Sequence, residues 1–183
     1  FQTDTELTVL GCDDDEADSG TNFWQELAST TTTSVGDTVD SGVFTAKKYL
    51  MINAVGYRDS ASILPAIRLG NSTIDGGNNY TQRQSVNGGS DATLINESTI
   101  YTTSGAGYLS SDVYYIINAS STEKLVINHG LVVSSGNSAP DRQEIVGKWT
   151  NTSAQANRVH YSNQGGGSSN FDIGSKMRVW GGN

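Results

Sequence analysis

Apolar and polar residues alternate with a period of two through most of this chain, and no stretch shows a sustained helical period. Clusters of Gly, Ser, Asn and Asp separate the alternating stretches, as at residues 76–79 and 165–170. The pattern predicts an all-β protein without helices. We expect strands at about 22–30, 43–57, 62–69, 79–86, 92–102, 112–119, 123–133, 142–151, 156–163 and 174–181.

Three of these stretches, at 49–55, 114–117 and 125–127, are apolar on both faces. A strand in the middle of a covered sheet has this pattern, because neither of its faces meets water. About nine to ten short strands, three of them central, favour a two-sheet β-sandwich. The jelly roll is the type of sandwich that we expect.

The first thirteen residues of the chain align without gaps on the last thirteen. Phe1 matches Phe171, Val9 matches Val179 and Gly11 matches Gly181, with three further similar pairs: Thr5 and Ser175, Leu7 and Met177, Leu10 and Trp180. In both segments the alternation places two aliphatic residues on one face of a strand. We therefore predict that residues 1–12 are the closing strand of a preceding copy, or a strand exchanged with a neighbour. Leu7, Val9, Met177 and Val179 are the expected buried anchors.

The acidic residues are concentrated at the N-terminal end of the chain, in and just after the repeated segment. Of its 19 acidic residues, seven lie within residues 1–18, where there is no Lys or Arg, so nearly all of the net charge of −8 belongs to this end. We interpret residues 13–21 as an acidic linker and 22–183 as the β-sandwich domain. The nearly neutral domain has no stripe of Lys and Arg, which argues against nucleic-acid binding.

The acidic linker is also a candidate calcium site. Carboxylate oxygens at close spacing are ligands that calcium prefers, although the spacing does not fit an EF-hand loop. A solvated linker without metal remains the alternative, and no cofactor is required by anything else in the sequence. The candidate ligands are Asp13, Asp14, Asp15, Glu16 and Asp18.

The sequence offers no recognisable catalytic motif. Its two histidines, His129 and His160, each lie within an expected strand and outside any nucleophile or metal motif. We expect both to be sheet residues and the protein not to be an enzyme. No apolar run approaches the length that spans a bilayer, so we expect no membrane insertion.

Aromatic residues leave a binding function open. Trp24, Trp149, Trp180 and eight tyrosines are enough for a sugar-stacking platform. The competing interpretation places Trp149 and Trp180 inside the sandwich, where large aromatic side chains fill a core. Exposed, clustered aromatics would favour a glycan-binding module.

Several strand sequences carry a resemblance to a known kind of protein. The stretches FWQELAST, FTAKKYLMI, EKLVINHG, EIVGKWTNTSAQ and KMRVWGGN resemble a recurrent module of structural proteins in marine tailed phages and prophages. The resemblance covers most of residues 22–183. It implies a virion part, such as a capsid decoration, a fibre or a tail appendage, that occurs singly or in tandem.

Together these observations lead us to expect a non-enzymatic structural protein of a virion or extracellular surface. Its partners would be copies of itself or neighbouring virion proteins, joined through β-strand pairing. The alternative is a carbohydrate-binding module of a surface adhesin or phage receptor-binding appendage, with surface glycans as its partners.

Overall fold

The computed structural model describes residues 23–57, 64–101, 108–133, 136–164 and 170–183. These residues contain no helix and form thirteen β-strands. The strands are β1 (Gln25–Thr31), β2 (Thr38–Asp40), β3 (Tyr49–Tyr57), β4 (Pro65–Asn71), β5 (Thr73–Ile74), β6 (Tyr80–Val86), β7 (Ala92–Glu97), β8 (Ile100–Tyr101), β9 (Leu109–Ile117), β10 (Lys124–Val133), β11 (Asp141–Trp149), β12 (Arg158–Asn163) and β13 (Lys176–Gly182).

The strands form two antiparallel sheets. The large sheet has eight strands in the order β1-β13-β3-β9-β10-β11-β6-β7. The small sheet has five strands, with β2-β12-β4-β5 in order and β8 paired to β4. The last strand of the chain, β13, thus lies between β1 and β3, inside the large sheet.

The core lies between the two sheets and is built from alternate residues of each strand. In β3, Leu50, Ile52 and Ala54 are at most 1% exposed, while the residues between them are half-buried. Tyr80, Tyr114, Trp149, Tyr161 and Phe171 are among the largest fully buried side chains. Because apolar burial is the dominant favourable contribution to folding, these inward faces hold the two sheets together.

The expectation of an all-β, two-sheet sandwich is confirmed. Every expected strand overlaps an observed one, but the described residues contain three more strands than the upper expectation of ten. The additional strands are short: β2 and β5 have three and two residues, and β8 is a separate strand of two residues after β7. The jelly-roll type is not confirmed, because a jelly roll has eight strands in total and these sheets have eight and five.

The three stretches that are apolar on both faces do lie in central strands, β3, β9 and β10. Their outer faces are nevertheless not covered as expected. Tyr115 of β9 and Ile127 of β10 are 47% and 48% exposed. The large sheet therefore has one apolar face in the core and an apolar region on its other face.

Candidate functional site

The repeated segment is best judged against the place that β13 occupies between β1 and β3, which we call the β13 slot. β13 forms antiparallel ladders with β1 on one side and β3 on the other. Met177 and Val179 point into the core and are 1% and 0% exposed, whereas Lys176 and Arg178, which alternate with them, are exposed. Both predicted anchors of this segment are thus buried, and their matched partners Leu7 and Val9 lie outside the described residues.

Other positions of the same segment are constrained by close contacts. Phe171 is fully buried and stacks on Tyr161, with 5.0 Å between the ring centroids. The hydroxyl of the fully buried Ser175 accepts a hydrogen bond of 2.9 Å from the backbone N–H of Tyr57. A Cβ atom at Gly181 would lie 2.5 Å from Cδ1 of Leu27, so this position favours glycine. The slot therefore selects an aromatic ring, a hydroxyl and a glycine at fixed spacing.

The N-terminal segment of the sequence repeats these constrained positions. Phe1, Thr5, Val9 and Gly11 supply the ring, the hydroxyl, an aliphatic side chain and the glycine, in the same spacing. The exposed positions of β13 are the ones that differ, since Glu6 and Thr8 stand where β13 has Lys176 and Arg178. The similarity is concentrated where the slot restricts the residue type, as expected if both segments fit the same kind of slot.

At two positions the N-terminal segment has a residue that does not fit the β13 slot. Gly174 has a φ of 90°, and its counterpart is Asp4. A Cβ atom at Gly182 would lie 2.5 Å from Cε1 of Phe23, and its counterpart is Cys12. A side chain at either position would require local adjustment of the backbone or of Phe23.

The outer face of the large sheet carries an apolar groove of about 490 Å³. Phe23, Trp24 and Tyr49 form one wall. The floor and the other wall consist of large apolar side chains of β9, β10 and β11 that are between 46% and 56% exposed: Tyr115, Ile117, Leu125, Ile127 and Val146. Tyr115, Ile127 and Val146 are cross-strand neighbours and form one continuous row.

This apolar groove lies at the end of the sheet where β1 begins and β13 ends. Gly182 is paired with Tyr49 at the groove wall. Phe23 contacts Gly182 and packs edge-on against Trp24. The chain thus enters and leaves the described domain at the same corner, beside the groove.

The core placement of the two tryptophans is correct for Trp149 and wrong for Trp180. Trp149 is 1% exposed, and its indole N–H donates a 2.7 Å hydrogen bond to Asp75, so it is a core residue as the competing interpretation holds. Trp180 is only half-buried and lies on the outer face, because it follows the inward-facing Val179 in β13. The placement of Trp180 in the core was therefore wrong.

A second, polar groove of about 390 Å³ adjoins the apolar one and shares Ile127 and Val146 with it. His129 of β10 lies directly opposite Glu144 of β11 in this groove. His160 lies in β12 of the small sheet, so both histidines are sheet residues as predicted.

His160 belongs to a charged row on the outer side of the small sheet. Asp40 of β2 accepts hydrogen bonds from the Arg158 guanidinium, which lowers the pKa of Asp40 to about 2. The imidazole Nε2 of His160 lies 3.4 Å from the same carboxylate, while burial lowers the pKa of His160. Arg158 also donates to the backbone carbonyl of Ser72. These contacts hold β2 against β12, and they do not identify any of the three side chains as a reacting group.

A buried carboxyl lies between the sheets. Asp112 of β9 is 2% exposed and accepts a 2.8 Å hydrogen bond from the Tyr161 hydroxyl. The Asn128 amide donates a longer bond of 3.4 Å to its other oxygen. Burial raises the pKa of Asp112 to about 7. The Ser110 hydroxyl bonds the Tyr161 hydroxyl at 2.7 Å and completes this cluster.

The five candidate calcium ligands, Asp13, Asp14, Asp15, Glu16 and Asp18, lie outside the described residues. Across the part of the chain that the structure describes, no three His, Cys, Asp or Glu side chains are grouped to hold a metal ion. The calcium hypothesis stays a prediction. Equal melting temperatures with calcium and with chelator, in an assembled sample, would contradict it.

The chain matches no protein-family model, and no curated protein and no solved structure is significantly similar to it. None of the described residues forms a helix that could cross a membrane. What the geometry defines is an all-β, two-sheet protein with an apolar outer face beside Phe23 and the end of β13. This exposed face was not predicted from the sequence, because apolar residues on both sides of a strand were taken to mean burial on both sides.

Proposed function

We propose that this chain is a non-enzymatic structural module of a virion or extracellular surface that joins to copies of itself by β-strand pairing. One observation carries the proposal: residues 1–11 repeat the residue types that the β13 slot selects. The location rests on the resemblance of its strand sequences to phage structural modules.

The slot between β1 and β3 is already occupied by β13 of the same domain. Residues 1–10 therefore fit best between β1 and β3 of another copy, which is either a preceding copy in a tandem chain that has this segment as its last strand, or a neighbour whose own β13 has been exchanged for it. In that position the segment would add main-chain hydrogen bonds across the junction, and Leu7 and Val9 would enter the neighbour's core. Strand addition of this kind is a common mode of assembly.

Replacing Leu7 and Val9 together with aspartate is expected to abolish self-association of the 183-residue chain. Burying two aliphatic side chains contributes roughly 3–6 kcal/mol before ordering costs, and two buried carboxylates would oppose it. Sedimentation velocity over a range of concentrations measures the association. The melting temperature of the domain should not change.

The matched control is Gln2→Asp with Thr8→Asp, which adds the same charge on the opposite face of the predicted strand. This variant should associate like the wild type. A wild-type chain that stays monomeric at high concentration would rule out strand exchange between separate chains, and a Leu7→Asp/Val9→Asp variant that associates normally would rule out the proposal.

A second candidate function is glycan binding, and the aromatic side chains Phe23, Trp24, Tyr49 and Tyr115 around the apolar groove favour it. Sugars stack on aromatic rings but also need hydrogen-bonding groups, which the adjoining polar groove supplies through Arg83, Asp91 and Glu144. Binding to a glycan array that is lost in Tyr115→Ala would support this function over the structural one. Reproducible hydrolysis that disappears in His129→Ala or His160→Ala would instead indicate an enzyme.

A further inference from the structure

We infer that the apolar groove on the large sheet is a contact between copies, and that the same groove of a second copy packs against it. The inference rests on the proposed self-association and names the surface that follows once the strands have paired. It assigns the groove one occupant, a second copy of this chain.

The first argument is the position of the groove relative to the chain outside the domain. The chain that precedes the domain joins it at Phe23, in the groove wall. If residues 1–12 lie in another copy, only about ten linker residues separate that copy from Phe23. Ten residues span at most about 35 Å, so the second copy is held close to this wall.

The second argument is that the linker meets both copies at the same place, beside the groove. Residues 1–12 correspond to the end of β13, and β13 ends beside Tyr49 in the groove wall. The copy that takes up residues 1–12 therefore has its own groove next to the point where the linker leaves it. The linker joins one groove to the other, and this proximity raises their effective concentration.

The third argument is the chemistry of the groove. Its lining is almost entirely apolar, and exposed apolar patches of this kind mark interaction sites. Charges at its edge have both signs, since Lys148 bonds Glu123 at 2.8 Å beside Leu125 and Lys48 lies over the ring of Tyr49. A face with an apolar centre and mixed charges around it can pack against its own copy without net repulsion.

Ile127→Glu tests the inference in the full 183-residue chain. Ile127 is central in the groove and 48% exposed, so the domain should fold normally while the dissociation constant measured by sedimentation rises at least tenfold. Val146→Lys, at a 56% exposed position on the next strand, is a second variant with the opposite charge. Ile95→Glu is the matched control, because Ile95 is 65% exposed on β7, away from the groove.

Weaker association of both groove variants with an unchanged Ile95→Glu variant supports the inference. Unchanged association of both groove variants overturns it, and if Leu7→Asp/Val9→Asp still dissociates the chain, the proposed function survives alone. Groove variants that weaken association while Leu7→Asp/Val9→Asp does not would support the groove contact and refute strand pairing. A monomer whose Ile127 region gains hydrogen exchange on deletion of residues 1–22 would show that the chain covers its own groove, which overturns the inference.

Discussion

Replacing Asp112 with asparagine is expected to stabilise the protein by about 2–4 kcal/mol at pH 8 and to have little effect at pH 4. The Asp112 carboxyl has a pKa raised by burial to about 7 in the folded protein, against an ordinary value of 3.8. Asparagine keeps the shape of the side chain and carries no charge. Its Oδ1 can accept from Tyr161. Its N–H can donate to Oδ1 of Asn128 once the Asn128 amide turns over, because Nδ2 of Asn128 now faces Asp112 and Oδ1 has no hydrogen-bond partner among the described residues.

The sign of the pH dependence follows from the raised pKa. Below about pH 4 the carboxyl is neutral in both states, so it does not oppose folding. Between pH 4 and 7 the folded state retains a proton that the unfolded state releases, and the free energy of unfolding falls as pH rises. Above about pH 7 the full penalty of roughly 4 kcal/mol applies.

Urea denaturation of the wild type and of Asp112→Asn at each pH between 4 and 8 measures the difference directly. The difference isolates Asp112 from His160, whose lowered pKa makes stability fall as pH drops below its ordinary 6.5. The same difference also separates the effect of Asp112 from that of Asp40, whose contribution to the free energy of unfolding is lost between about pH 4 and 2. Asp91→Asn is the control, because it removes a carboxylate from an exposed position. An Asp112→Asn variant that is less stable than wild type at pH 8 would refute the argument.

Transplanting the N-terminal segment into the β13 slot is expected to give a folded protein. In this variant residues 1–3 and 5–11 replace 171–173 and 175–181, while Gly174 and Gly182 are kept because their counterparts fit poorly. The buried ring, hydroxyl, aliphatic side chains and Gly181 are all preserved in kind. We expect a loss of about 2 kcal/mol, mainly from the change of Met177 to Leu and the loss of the Trp180 ring.

The control transplants the same segment shifted by one residue. A shift by one residue sends every inward side chain to the opposite face of the sheet, so Glu6 and Thr8 would enter the core. This control has the same composition and should not fold. Circular dichroism and urea denaturation distinguish the two proteins. Equal stability of the in-register and shifted variants, or unfolding of both, would show that residues 1–11 are not equivalent to β13.

The sequence predicted the strands well because their signal is local. Short apolar runs identified β3, β9 and β10, and alternation identified β13. The inward direction of Met177 and Val179 follows from that alternation. The strands it missed, β2 and β5, have three and two residues, which is too short for a period of two to be recognised.

What the sequence could not show is which faces are covered. A period of two tells which residues share a face, but covering that face depends on contacts between distant segments. Tyr115 and Ile127 were taken to be buried for this reason. Asp112 shares its face with Tyr114 and Ile116, so its burial was readable from the alternation once that face was assigned to the core.

The position of β13 also has a consequence for how the protein folds. β13 is the last strand of this domain to be synthesised, and it inserts between β1, the first strand of the domain, and β3. Until it emerges, β1 and β3 each have an unpaired edge, and such edges recruit strands from other chains. Pairing of the first strand with the last also requires closure of nearly the whole domain, which slows folding. We expect slow refolding, and chains interrupted before Lys176 should aggregate during synthesis.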